Sequence, residues 1–417
     1  MDAVDKVGLR ALGSSLHGNE GITALKEKVI AGLNASGKVL VEEATGAGGD
    51  LALQGLLILT GGVEEEALEA AALLEEPILI VAHPWHNSLP AALELLARLR
   101  QEGRQGLILY GEAEQVASQL ALHARVQAAW REFVHSRVGL VGRPSDWLVA
   151  SGVEPARLRE LGLELVELEL GEVLARVRAL EGRSFAKEAE ELERGASRLG
   201  ELDRETIEGA IRIYHALRGL AEEHRLSALT VRCFDLIGPL RNTGCYALAR
   251  LNDEGLTAGC EGDLQALLSM HLARLLTGQA AFMGNLARVE RAGLLLAHCT
   301  CPLSLGSSCS QEHAIAFELR SHFESSLGLG LAARLPSARA TVFRIGGEGF
   351  DQLFLAEGSI LPHEPEEGLC RTQVALELDR PELIDELLTC PLGNHLVLIL
   401  GEHRALLEAL FQTYLRR

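Results

Sequence analysis

The chain is predicted to be an α/β protein that ends in a β-rich part, and three observations carry the prediction. In the first third, short apolar runs alternate with amphipathic stretches at strand–helix–strand spacing, the mark of a parallel sheet. A second round of this alternation begins near residue 136. Beyond about residue 280 the texture changes to short period-two runs divided by Gly, Pro and acidic turns, as in the antiparallel strands of a barrel or sandwich. With 417 residues there is chain for two or three domains. The changes of texture divide it into 1–136, 137–279 and 280–417.

Taken in order, Lys38–Glu42 (KVLVE) reads as a short strand, and Gly46–Asp50 (GAGGD) as a flexible loop. GAGGD lacks both the spacing of a dinucleotide fingerprint and a phosphate-binding Lys. Leu51–Thr60 is an apolar run closed by Gly61-Gly62. Val63–Leu74 has helical spacing, with an acidic start that suits the positive end of a helix dipole. Pro77–Ala82 (PILIVA) is a buried strand, Pro90–Gln101 an amphipathic helix, Gly106–Tyr110 a strand and Glu112–Ser136 a long helix. The second round comprises strands at Val138–Val141, Leu163–Leu168 and Ala228–Phe234, with helices over Leu170–Leu180, Lys187–Ala196 and about Arg204–Arg225. The last part offers strands at Thr341–Ile345, Gln352–Ala356, Arg371–Leu378 and Leu396–Leu400, and a terminal helix over Glu402–Tyr414.

The net charge of −19 and the lack of Lys/Arg clusters argue against a nucleic-acid surface, which needs cations for phosphates. No apolar run is long enough to span a bilayer, and Met1–Leu12 has no apolar signal-peptide core. A cytoplasmic protein is expected, and its eight Cys are expected to be reduced.

The residues that could carry chemistry fall in a few segments. Cys260–Asp263 (CEGD) is placed at the end of a loop and the start of a helix; Glu261 and Asp263 lie two apart, so only one is expected to face a given site. The alternative is an acidic first helical turn without function. His298 follows the apolar run Leu294–Ala297 and so sits at a strand end, where an imidazole can ligate a metal or be a hydrogen-bonded core group. Cys299, Cys301 and Cys309 lack the second knuckle of a zinc site and read better as small apolar side chains. His395 lies between a Gly-Asn turn and a buried strand, and Arg320–Gly330 brings together His322, Glu324 and three Ser. His83, Trp85, His86 and Asn87 follow a strand's carboxyl end, where open α/β sheets bind ligands. A turn capped by Asn87 or Ser88 is the competing reading. Arg232, Arg241 or Arg344 could receive an anionic substrate group or be ordinary surface Arg.

These segments, in this order, resemble the L-fucose/L-arabinose isomerase superfamily, most closely its compact L-fucose isomerase-related branch. The resemblance rests on PSDWLVAS (Pro144–Ser151), CEGD, LLTGQAAFMGN (Leu275–Asn285), AHCTCPL (Ala297–Leu303), HFESSLGLG (His322–Gly330), FRIGG (Phe343–Gly347), LCRTQ (Leu369–Gln373) and PLGNHLVLILG (Pro391–Gly401). These motifs cover the last two domains. The first domain matches only in layout and in HPWHNSLPAALE.

The resemblance implies two Rossmann-like α/β domains, a C-terminal β-barrel and a homo-oligomer. It also implies a divalent metal, commonly Mn2+, held by carboxylates and His. Carried over by position, Glu261 matches the first carboxylate ligand, His395 the C-terminal His and His298 an additional His. The second carboxylate falls at Asn285, whose amide can ligate through oxygen but is no base near neutral pH. The implied reaction is aldose–ketose isomerisation through an enediolate, with Glu261 as base and a metal-bound water, Asp263 or Glu324 completing the proton relay. Substrate contacts are expected from His83, Trp85, His86, Asn87, His322, Glu324 and Arg344. A sugar-binding or regulatory protein on the same scaffold, and an epimerase or lyase using the same intermediate, are the alternatives. The expected partner is a small sugar or sugar derivative, with neither nucleic acid nor membrane.

Overall fold

The computed structural model describes residues 5–44, 51–306 and 315–416, so the GAGGD loop and Cys309 lie outside the described residues. The described chain divides into two compact units, Met1–Ala129 and Trp130–Arg417. None of its helices is long and apolar enough to cross a membrane.

In the first unit, β1 (Asp5–Leu12), β2 (Val39–Glu43), β3 (Leu53–Ile58), β4 (Ile78–Ala82) and β5 (Gly106–Tyr110) form a parallel sheet in the order β2-β1-β3-β4-β5. Every residue of β4 is buried because both faces of the sheet are covered. Leu79 and Val81 pack with Leu33 of α1 (Asn19–Ala35) and Leu120 of α4 (Ala113–Phe133). Ile78 and Ile80 pack with Ala67 and Ala70 of α2 (Glu64–Ala71) and with Leu95 and Leu99 of α3 (Ser88–Gln101).

The second unit begins with another parallel sheet. Its strands are β6 (Arg137–Val141), β7 (Glu164–Leu168), β9 (Ala228–Val231) and β10 (Thr257–Cys260), in the order β10-β9-β6-β7. Between them come α5 (Pro155–Glu160), α6 (Leu170–Ala179), α7 (Ala186–Gly195), the short β8 (Arg198–Leu199), α8 (Arg204–His224), α9 (Phe234–Leu240) and α10 (Cys245–Asp253). The sheet hands over through α11 (Leu264–Thr277), of which twelve residues are buried.

A closed antiparallel barrel follows, built from β11 (Phe282–Val289), β12 (Gly293–His298), β15 (Arg339–Gly346), β16 (Gln352–Leu361), β17 (Thr372–Leu378) and β18 (His395–Leu400). Its order is β11-β12-β17-β16-β15-β18, and Phe282, Leu296, Val342, Phe354, Val374 and Leu398 fill its core. β13 (Ala316–Arg320) and β14 (Gly330–Arg334) leave the barrel and form a small sheet in which β13 pairs with both β14 and β8. α12 (Leu383–Thr389) precedes β18 and α13 (Arg404–Leu410) follows it.

The architecture is the expected one: two parallel α/β sheets and then a barrel. Local differences have plain causes. Cys260 ends a strand, not a loop; TAGC is too short and too rich in small residues to show alternation. The strand expected over Ala228–Phe234 stops at Val231, because Cys233 takes helical backbone angles and caps α9. The terminal helix ends in a wider turn over Phe411–Leu415.

Candidate metal centre

Glu261 stands at the carboxyl end of β10, where the chain must turn sharply into α11. Glu261 and Gly262 both take left-handed backbone, at φ 63° and 75°. Glycine is required at 262, since a β-carbon there would lie 2.7 Å from Pro144 Cα. The pressed loop is also tied by the Ser145 N–H, which donates to the Glu261 carbonyl at 2.8 Å. A non-glycine residue held at positive φ carries strain that the surroundings must sustain. Here the strain aims a buried carboxylate at the barrel rim.

Two imidazoles meet it there. His298 closes β12 and His395 opens β18; both strands pair with β11, in which Asn285 stands opposite His395. His298 Nε2 is 3.6 Å and His395 Nε2 3.5 Å from Glu261 Oε1. One ligand atom from each of the three buried residues lies within 4.8 Å of the others. The other Glu261 oxygen accepts from the Trp147 indole N–H at 2.6 Å.

The far side of each imidazole is fixed. His298 Nδ1 bonds the Thr300 hydroxyl at 2.9 Å, and His395 Nδ1 bonds Asp263 Oδ2 at 2.9 Å. Asp263 also caps α11, accepting from the Ala266 N–H, and pairs with Arg344 at 3.1 Å. Arg344 is fully buried; it donates to the Leu392 and His395 carbonyls, Ser151 and Gln265 as well. Gly393 makes room for it, since a β-carbon there would lie 2.7 Å from its guanidinium. The result is a carboxylate–imidazole pair of the kind that orients metal ligands.

The electrostatics follow from this packing. Burial by itself would raise the Glu261 carboxyl, but His298 and His395 outweigh it and hold the group below the usual carboxylate range. Burial likewise works against an ionised Asp263, and His395 and Arg344 more than offset it. Burial would lower His395, yet Asp263 and Glu261 raise it above its ordinary value.

The donors fit a divalent metal. His395 Nε2 is buried without a hydrogen-bond partner among the described residues, and it faces the Glu261 carboxylate. An unpaired buried nitrogen is costly in a dry site and is satisfied once it ligates a cation. Two imidazoles and one carboxylate suit first-row divalent ions.

Glu261 and His298 open on a cavity of about 300 Å³ in the second unit, and His395 stands behind them, outside its lining. Asn285, His322 and Glu324 also line it. Asn285 is half-buried and its amide oxygen accepts from Asn394 at 3.1 Å. His322 is buried and bonds Ser325, while Glu324 is exposed. Trp147, Phe234 and His322 stack edge-to-face along one wall.

Other expected residues lie elsewhere. Asp263 and Arg344 stand behind His395 and outside the cavity lining. Arg232 is held by Asp146, Asp235 and the Pro144 carbonyl, pinning the loop that carries Trp147.

His83, Trp85, His86 and Asn87 belong to the first unit, just past β4. His83, Trp85 and His86 line a cavity of about 360 Å³ there. Burial lowers His83, whose Nδ1 accepts from the Trp85 N–H. Asn87 does precede α3, but its side chain makes no cap; Ser88 instead bonds the Ile58 carbonyl and the His83 N–H.

Trp147, Phe234 and the wall cysteines Cys233, Cys245, Cys260 and Cys370 were not assigned from the sequence, whereas Cys299 was read as lining beside His298. The motif PSDWLVAS marked Trp147 without giving it a partner, because the Glu261 contact spans 114 residues.

No protein-family model matches the chain. It is similar to the sulfoquinovose isomerase of Clostridium sp. (strain MSTE9), with 23% identity over 349 residues, covering 81% of this chain and 77% of that protein. It is also similar to the sulfoquinovose isomerases of Priestia aryabhattai and Priestia megaterium. Each is 22% identical over 325 residues, covering 76% of this chain and 72% of the relative. A strand-borne carboxylate facing two rim imidazoles thus stands in a chain distantly homologous to sulfoquinovose isomerases, which are sugar isomerases.

Proposed function

We propose that the chain is a metal-dependent aldose–ketose isomerase. The observation that carries the reading is the buried Glu261–His298–His395 group, with its orphaned His395 nitrogen, at a sugar-sized cavity in a distant relative of sugar isomerases. These three residues would hold the ion, which we take to be Mn2+, with Asn285 beside them offering an amide oxygen. When bound, the ion would polarise the sugar carbonyl and stabilise the enediolate.

The chain's own residues divide the remaining work. Glu261 is held below the usual carboxylate range and already faces Trp147 and two imidazoles, so it serves better as ligand than as base. Glu324 is the other carboxylate of the cavity wall among the described residues. We assign it the proton of the carbon next to the carbonyl, with His322 two residues away to pass protons between oxygens. Asp263 and Arg344 act as positioning residues through His395.

No Lys or Arg lines the cavity among the described residues, so this unit offers a sulfonate no cation there. A neutral aldose is therefore the proposed substrate, in contrast to the sulfonated sugar in the relatives' name. A homo-oligomer remains the proposed assembly on the strength of the resemblance.

The test is a screen of neutral aldoses and sulfoquinovose for ketose formation, with chelator-treated protein and with Mn2+ restored. Turnover of a neutral aldose only with metal supports the reading; sugar binding without ketose under either condition overturns it. The second reading, a sugar-binding protein, is favoured by one observation, the amide of Asn285 at the rim where a second carboxylate was expected.

A further inference from the structure

The cavity beside Glu261 is lined by five thiols, those of Cys233, Cys245, Cys260, Cys299 and Cys370. Buried cysteines ordinarily act as small hydrophobes, as Cys301 does within the barrel core. These five instead belong to the cavity wall, so a small reagent that enters the cavity comes beside them.

Cys299 stands between the thiols of Cys245 and Cys370 and accepts the Arg371 N–H at 3.5 Å. Cys233 and Cys260 form the closest pair, with sulfurs 2.8 Å apart, closer than non-bonded sulfurs ordinarily pack, and Cys245 lies near both. The fold explains this approach. β9 and β10 run side by side with Val231 opposite Cys260, and Cys233 follows Val231 by two residues. Neighbouring strands lie about 4.8 Å apart, so the turn just past β9 brings Cys233 beside the end of β10, where the two sulfurs meet.

We propose that Cys233 and Cys260 form an oxidation site, which takes an intramolecular disulfide from a peroxide. One thiol, as thiolate, attacks a peroxide oxygen; the O–O bond breaks, giving a sulfenic acid and, from hydrogen peroxide, one water. The partner sulfur then attacks the sulfenic sulfur; the S–S bond forms, the S–O bond breaks and a second water leaves. Two thiols lose two electrons and two hydrogens, and the peroxide is reduced to two waters. The bridge fastens the end of β10, directly before Glu261, to the start of α9.

The test uses the reduced full-length chain treated with hydrogen peroxide. Remaining thiols are then alkylated, and the protein is digested with trypsin and read by mass spectrometry without reductant. The expected product links peptides 233–241 and 251–274, is two hydrogens lighter than their sum and separates on reduction. Cys233→Ser abolishes that product and leaves the peptides bearing Cys370 and Cys390 as in the wild type. The proposal is overturned if both cysteines are recovered alkylated while exposed Cys390 is oxidised, or if the bridge forms among Cys245, Cys299 and Cys370. This readout needs no sugar turnover, so it stands or falls separately from the isomerase reading.

Discussion

At the scale of single residues, the centre depends on groups that touch no substrate. Asp263 is fully buried, yet it orients His395 and receives Arg344. Asp263→Asn keeps the shape and the helix cap but loses the charge that fixes the imidazole. We expect Mn2+ affinity to fall about 10–100-fold, the usual effect of losing such a carboxylate. Titration of the metal-free variant checks this, and an unchanged affinity would refute the positioning role. Arg344→Ala would leave Asp263 without its cation and cost about 3–5 kcal/mol of stability, measurable by denaturant unfolding.

At this scale Glu261, His298 and His395 were legible because each sits at a boundary where a short polar motif meets an apolar run. Arg344 was legible as a charge but not as a buried one. Its neighbours Asp263 and His395 come from distant parts of the sequence, and local pattern does not encode such pairings. Cys233, Cys245, Cys260 and Cys370 escaped for the same reason, since nothing beside them in the sequence shows what they face.

At the scale of elements, α11 joins sheet to barrel and carries a buried histidine of its own. His271 bonds Ser136 and Thr257 in place of solvent. Burial lowers its pKa to about 4 from the ordinary 6.5. The unfolded chain therefore binds this proton more readily than the folded one between those values, and stability rises with pH across that window. The contribution is complete above pH 6.5 and fades as pH falls towards 4, by about 3 kcal/mol. Urea unfolding of wild type and His271→Gln should show this slope in the wild type and its loss in the variant.

The long amphipathic helices and the PILIVA strand were readable because their periodicity runs over many residues. β10, β13 and β14 were not, with four or five residues each and burial set by partners far along the chain.

At the scale of the whole molecule, every proposed metal ligand comes from the unit Trp130–Arg417. Mn2+ at a hundred times its dissociation constant should stabilise that unit by about 2.7 kcal/mol. Amides of β10, β12 and β18 that exchange by opening of the unit should slow about 100-fold. Those of residues 5–44 and 51–129 should keep their rates. Hydrogen exchange with and without Mn2+ checks this, and equal slowing in both units would contradict it. The order of two parallel sheets and a barrel was legible because texture changes in whole segments. The pairing of β13 with β8, across more than a hundred residues, left no such trace.

The most direct test of the central claim is exchange at the sugar's C2 in heavy water, followed by NMR with Mn2+ present. The account predicts deuterium at C2 together with ketose formation for the wild type. It predicts neither for Glu324→Gln, which should still bind Mn2+, nor for Glu261→Gln, which should not. Tight sugar binding by the metal-loaded wild type with C2 fully protonated, and no ketose, would contradict it.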